Sequence, residues 1–236
     1  MIHVTLKYAS KDKTTAKELA VVVDVLRGST TITTALQNGA LWVMSTTGIE
    51  PAFKLAEKYN ALLAGERNCL KINGFDFGNS PAEMTAEKVS GRRIVFTSTN
   101  FSGALAASMN SPAVVVGSML NLTAVAEFSY KTAKENDCGI CFMLAGNEDN
   151  NADEDLAFAG AACGILKDFH DCRISGDVEK AIDFVSKKGA KNCIKDSSHA
   201  SRLMIFGLEG DVDFACKKDV FDIVPVLKDG KIIILR

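Results

Sequence analysis

Apolar and polar positions along this 236-residue chain follow two different periods. Short, continuously apolar runs at 20–25, 41–45, 61–64, 93–97, 113–117 and 139–144 predict buried strands. Between them, apolar residues recur at three- and four-residue spacing near 29–38, 49–59, 81–88, 101–109, 121–135 and 154–169, which predicts helices. Strands that are apolar throughout have both faces covered, so the expected architecture is a three-layer α/β/α fold around a largely parallel, mixed sheet. Past about residue 171 the pattern changes. Helical periods near 177–188 and 199–207 are followed by β-like runs at 212–216 and 231–235, expected to add antiparallel strands. With four prolines and no polar linker, one α/β domain over 1–236 is expected, a smaller C-terminal lobe from about 171 being the alternative division.

Composition narrows the function. A hydrophobic fraction of 47% and a charged fraction of 24% are those of an ordinary globular protein, and a net charge of -2 supplies no basic field for nucleic acid. No apolar run is long enough to span a bilayer, and the start Met1-Ile2-His3-Val4 lacks a signal-peptide pattern, so a cytoplasmic protein without membrane attachment is expected. The seven cysteines then read as reduced thiols, and Cys138-Gly139-Ile140-Cys141, which opens an apolar run, reads as core rather than as a metal or redox site. The sequence leaves the oligomeric state open, a homodimer being one option.

The chemistry gathers where strands end. The run Val21-Val22-Val23 leads into Asp24, then Arg27, Gly28 and the hydroxyl residues Ser29, Thr30 and Thr31, which open a helix. A strand-end carboxylate can hold a cation, while an arginine and the first amides of a helix can hold an oxyanion. Further polar clusters follow the next strands: Gly65-Glu66-Arg67, Ser98-Thr99-Asn100, Gly117-Ser118 with Asn121, and Gly146-Asn147 with Asp153-Glu154-Asp155. Ligands of open α/β sheets bind at such ends, so a mainly parallel sheet would bring these clusters to one rim. Each has a plainer reading. Asp24 fits a helix cap, Glu66 and Arg67 a surface ion pair, and the acids at 153–155 the dipole of a helix N-terminus. In Gly74-Phe75-Asp76-Phe77-Gly78-Asn79-Ser80-Pro81-Ala82-Glu83, Ser80 and Glu83 match a capping box with Pro81 at the first helical position, leaving Asp76 and Asn79 to face a ligand. Nucleotide-binding glycine loops are absent, Leu26 stands where a haloacid-dehalogenase-like phosphatase needs a second Asp, and none of His3, His170 and His199 adjoins a nucleophile motif.

At these residues the chain resembles the 2-phosphosulfolactate phosphatase family. The resemblance rests on Val23-Asp24-Val25-Leu26-Arg27, Ala64-Gly65-Glu66-Arg67, Gly74 to Pro81, Thr99-Asn100, Ala145-Gly146, Glu154-Asp155 with Ala159-Gly160, and His199-Ala200 before Leu203. It implies an α/β/α fold and a magnesium-dependent phosphatase that converts 2-phospho-3-sulfolactate to 3-sulfolactate, a step towards coenzyme M. Gly28-Ser29-Thr30 stands where Ala-Thr-Ser is usual, and Phe101 replaces a glycine beside the expected site, which points to an altered substrate.

The reading is metal-assisted hydrolysis of a small anionic phosphate monoester. Asp24 is the first candidate ligand of Mg²⁺, with Glu66 and Asp155 behind it, because magnesium needs few carboxylates beside waters and substrate oxygens. Arg27 and Arg67 are candidates for the substrate's anionic groups, with Ser29, Thr30, Asp76, Asn79, Ser80 and Thr99 around them. Asn100 is placed to orient an oxygen, and either Glu154 or His199 protonates the leaving alkoxide. The nucleophile is water or Asp24. Two rival readings are a phosphatase for a different phospho-acid, favoured by Phe101, and a non-catalytic anion-binding protein.

Overall fold

Every apolar run of the first two-thirds becomes a strand. The computed structural model describes residues 1–146 and 152–235; Asn147, named above, lies outside the described residues. In chain order the elements are β1 (Ile2–Tyr8), β2 (Glu18–Val23), α1 (Gly28–Gln37), β3 (Trp42–Ser45), α2 (Ile49–Tyr59), β4 (Leu62–Arg67) and β5 (Leu70–Lys71). Then come α3 (Ala86–Val89), β6 (Arg93–Thr97), α4 (Phe101–Ala107), β7 (Val114–Gly117), α5 (Leu122–Glu135), β8 (Gly139–Leu144) and α6 (Asp153–Leu166). The chain continues through β9 (Cys172–Ile174), α7 (Gly176–Lys188), α8 (Ala190–Lys195), α9 (Ser198–Ile205), α10 (Glu209–Ala215), β10 (Pro225–Lys228) and β11 (Lys231–Ile234).

One mixed sheet runs β5-β4-β6-β3-β11-β10-β7-β2-β8-β1-β9. Along β2, Val21 and Val23 pack beneath α5 to α10, whereas Ala20 and Val22 pack with α1, α3 and α4 on the other face. A strand buried on both faces has to be apolar at successive positions, which is why this run lacks alternation.

Strands β7, β2, β8, β1 and β9 pair in parallel, as do β3, β6 and β4. The antiparallel hairpin β10–β11 joins the two blocks through single pairings, Val226 with Val115 and Ile232 with Val43. Three antiparallel steps reverse the sense, so the blocks run oppositely along the sheet. Even so, Asp24 after β2, Glu66 on β4 and Thr99 after β6 come together in one cavity, described below. Helix α1 packs against both β3 and β7, and α4 against both β2 and β6, so these two helices fill the space between the blocks.

The segment 212–216, expected as a strand, belongs to α10, where Asp211, Val212 and Ala215 are buried on one helical face. The helix expected over 81–88 is a 3₁₀ turn at Pro81–Glu83 followed by α3. The capping box is not formed: the Ser80 hydroxyl donates to Asp211, and Glu83 accepts the Gly78 amide at 2.5 Å. The sequence reading assigned no element to β1, β9, β10 or α8. All seven cysteines are free, and burial pushes the Cys141 thiol up to about 12, as expected of core residues. Among the described residues no helix is long and apolar enough to cross a membrane.

Candidate active site

The loop from β2 to α1 is held by its own hydroxyl groups. Ser29 Oγ donates to the Asp24 carbonyl at 2.7 Å and Thr30 Oγ1 to that of Val25 at 2.7 Å. Both side chains are fully buried, so they brace the loop instead of presenting oxygens to a ligand. The Gly28 amide donates to the Asp24 carboxylate. A Cβ on Gly28 would lie 2.6 Å from both Asp24 Oδ2 and Phe101 Cβ, so only glycine lets α1 start this close to the carboxylate. Arg27 is 4% exposed; Nη1 donates to Asp211 at 2.7 Å and Nη2 to the Cys69 carbonyl at 3.1 Å.

Strand β4 and the loop after β6 supply the next groups. The Glu66 carboxylate accepts the amides of Cys69 at 2.9 Å and Thr99 at 2.8 Å, which clamps the two loops together. Gly65 permits the contact beneath it, since a Cβ there would sit 1.9 Å from the Thr97 carbonyl. Arg67 does not pair with the Glu66 carboxylate. It donates to the Glu66 and Thr47 carbonyls and to Thr97 Oγ1. Asn100 precedes α4 without capping it through its side chain.

The third group comes from α9 and α6. His199 Nδ1 lies 3.0 Å from Glu154 Oε1, and Glu154 is buried. Asp155 faces inward, accepting the amides of Val25 at 2.8 Å and Gly146 at 3.0 Å, and so ties α6 to the ends of β2 and β8. Burial pushes Asp155 well above the usual carboxylate range, with Glu154 and Asp24 adding to the effect. Burial also pushes Asp24 up to about 6; His199 opposes that shift, while Glu66 and Glu154 add to it. For His199 burial disfavours the charge, but its bonds to Cys69 and Glu154 outweigh burial and raise it to about 10.

A His held above its unfolded value of 6.5 contributes stability that is fully present below pH 6.5 and lost as pH rises through about 10. The ring is therefore expected to remain an imidazolium at pH 8 in the metal-free protein. Nitrogen-15 NMR of the ring checks this, and a neutral ring at that pH would contradict it.

These groups meet in a cavity of about 220 Å³ lined by Asp24, Arg27, Glu66, Asn79, Thr99, Asn100 and His199, together with Leu26, Asn68, Cys69, Ser198 and Arg202. Of the residues expected from sequence, Ser29, Thr30, Arg67, Asp76, Ser80, Glu154 and Asp155 lie outside this lining. Asp76 instead accepts the Leu63 amide at 2.8 Å. The strand-end residues Ser118 and Asn121 bond to each other at 2.9 Å. Phe101 is fully buried behind the loop, edge-on to Phe96 with ring centroids 5.9 Å apart, and is not part of the cavity lining. The Oδ1 of buried Asn79 has no hydrogen-bond partner among the described residues.

Sequence reasoning missed Arg202 and Asp211. The first had a signal, the helical spacing from Ser198 and His199. The second had none, since its partner Arg27 is 184 residues away.

The sequence model of a family described as 2-phosphosulpholactate phosphatase matches residues 5–230. The chain is 39% identical over 225 residues to a probable 2-phosphosulfolactate phosphatase of Caldanaerobacter subterraneus subsp. tengcongensis, covering 93% of this chain and 91% of the relative. It is 42% identical over 218 residues to one of Thermotoga petrophila, covering 91% of each chain. Against one of Thermotoga maritima the identity is 40% over 218 residues, again covering 91% of each.

Proposed function

The chain belongs to the 2-phosphosulfolactate phosphatase family, a family of phosphoric monoester hydrolases, and on that footing we propose that it hydrolyses 2-phospho-3-sulfolactate to 3-sulfolactate and phosphate with the help of magnesium. The observation that carries the reading is one cavity in which two carboxylates, Asp24 and Glu66, stand beside Arg27 and His199. Phe101, the one residue that favoured a different phospho-acid, is packed away from that cavity.

The donors suit a hard cation. Asp24 and Glu66 bring carboxylates to the lining, and Asn79, also in the lining, has a buried Oδ1 without a partner among the described residues. Among the described residues no group of three or more His, Cys, Asp or Glu side chains is arranged to hold a metal ion by itself. Magnesium keeps several waters and substrate oxygens in its shell, so an incomplete protein cage fits it. When bound, the ion neutralises phosphoryl oxygens and lowers the pKa of a water.

The remaining work falls to the chain. Arg27 keeps N–H groups beyond those given to Asp211 and Cys69, and these hold phosphoryl oxygens. Water attacks phosphorus, the bond from phosphorus to the ester oxygen breaks, the hydroxyl of the water stays on the phosphate and its proton returns to His199 to restore the acid. Glu154 holds His199 at Nδ1, so Nε2, once the substrate takes the place of Cys69 as its partner, is the atom that gives its proton to the leaving alkoxide. Asn100 orients a substrate oxygen at the cavity edge. Free thiols throughout and the lack of a spanning helix among the described residues support the proposed cytoplasmic setting, and the proposed place of the reaction is the route to coenzyme M.

Phosphate release from 2-phospho-3-sulfolactate is expected to cease in EDTA and return with Mg²⁺. Because a proton competes with the ion for Asp24, the half-saturating Mg²⁺ concentration should rise about tenfold per pH unit below pH 6. Full activity in EDTA would overturn the metal reading, and no release under any condition would overturn the substrate.

A further inference from the structure

Arg202 is the exposed cation of the cavity lining, and among the described residues no carboxylate pairs with it. The other cations are committed. Arg27 is buried against Asp211, His199 is bound to Glu154, and Arg67 lies outside the lining on carbonyl and hydroxyl partners. In the last turn of α9 the guanidinium gains the fold only its modest interaction with the helix carboxyl end, whereas an incoming anion would give it a direct partner.

We infer that Arg202 selects the substrate by binding its sulfonate. This rests on the reading above, in which the substrate carries a phosphate, a carboxylate and a sulfonate. A sulfonate keeps its charge at any physiological pH, and its oxygens match the two-pronged guanidinium. The helix supplies the register. Ser198, His199 and Arg202 occupy one face of α9, with Arg202 about one turn beyond His199. In the substrate, the carbon bearing the sulfonate is bonded to the carbon bearing the ester oxygen. The group that protonates that oxygen and the group that holds the sulfonate must therefore be neighbours, as His199 and Arg202 are. The carboxylates Asp24 and Glu66 lie at the buried floor, 4% and 8% exposed, so a second anionic group is pushed towards the mouth where Arg202 stands.

The test compares two substrates that differ only at this group: 2-phospho-3-sulfolactate, and 2-phospholactate, which has hydrogen in place of the sulfonate. In the wild type the first should be preferred in kcat/KM. In R202Q that preference should fall by about tenfold or more, chiefly through KM. R202K should recover part of it, since it restores the charge without the fork. Raising the salt concentration should erode the wild-type preference, because the pair is exposed. An undiminished preference in R202Q, or an equal loss on both substrates, overturns the inference while leaving the phosphatase reading intact. Wild-type enzyme that hydrolyses 2-phospholactate but not the sulfonated ester overturns both the inference and the proposed substrate. Hydrolysis of neither ester overturns the proposed function itself.

Discussion

Replacing Asp24 with asparagine is expected to abolish turnover and to raise stability. The loss of activity follows from position. Asp24 sits on the cavity floor, 4% exposed, and is the carboxylate assigned to the cation. An amide is a far weaker ligand for a hard ion, so kcat should fall by about a thousandfold or more. The gain in stability follows from the buried charge. Unfolded, Asp24 ionises above 3.8; folded, it holds its proton up to about 6. The folded state therefore loses stability as pH rises from 3.8 to about 6, and that loss persists at higher pH. Asparagine is free of it. In EDTA at neutral pH the variant should be more stable by about 1–3 kcal/mol, and the difference should shrink as pH falls to about 4. Thermal unfolding at the two pH values, beside a phosphate-release assay, checks both halves. Retained activity would remove Asp24 from the chemistry. A variant less stable than wild type at neutral pH would refute the cost assigned to the buried charge.

Asp211→Ala is expected to be the most damaging change to the fold among the site's supports. Asp211 takes Arg27 Nη1 on one oxygen at 2.7 Å and Ser80 Oγ on the other at 2.6 Å. Both charged side chains are about 95% buried. Such a pair gains little over a well-packed apolar pair, yet removing one partner strands the other charge in a low dielectric. The cost is about 3–5 kcal/mol, a large fraction of a typical domain's stability. Asp211→Asn, which keeps an acceptor for Ser80, should cost less. The double variant Arg27→Met with Asp211→Leu should recover stability but not activity, because Arg27 is also the cation proposed to bind the phosphate. Urea unfolding of the three variants measures this. A loss below about 1 kcal/mol in Asp211→Ala would mean that water reaches Arg27 and the pair is not buried in effect.

The two experiments probe different layers of one device. Asp24 lines the cavity, and burial disfavours its charged form. Asp211, Asp155 and Glu154 lie behind the lining and hold Arg27, the β2–α1 loop and His199 in place. Catalytic sites commonly keep a strained charge in front and supporting bonds behind, because the charge has to stay available to the reaction.

Much of this was legible in local patterns. The runs 93–97 and 139–144 are β6 and β8 without adjustment, and the helical period near 49–59 is α2. Strands buried on both faces must be apolar throughout, and that requirement is written in consecutive residues. The same holds for Asp24, Glu66, Thr99 and Asn100, which sit at strand ends and do line the cavity. β1 also had a signal, with buried Ile2 and Val4 alternating with more exposed His3 and Thr5. Val212-Asp213-Phe214-Ala215-Cys216 is a short, mostly apolar run like those of the strands, but a helix buries Asp211, Val212 and Ala215 on one face, and packing on the core outweighed local pattern.

The sequence by itself thus determined the layers, most of the elements and which residues stand at strand ends, because periodicity and turn chemistry act over a few residues. Only the tertiary structure decided which of those ends meet. It inserted β10–β11 between two parallel blocks, and it brought Glu66 and Asp24 into one cavity lining while leaving Ser118 and Asn121 to each other. It also decided which way side chains face: Ser29, Thr30 and Asp155 towards the backbone, Phe101 into the core, and Arg202 into the cavity mouth. Those choices depend on partners far along the chain, as Arg27 and Asp211 show, and the free energy of such contacts exists only once the chain has closed on itself.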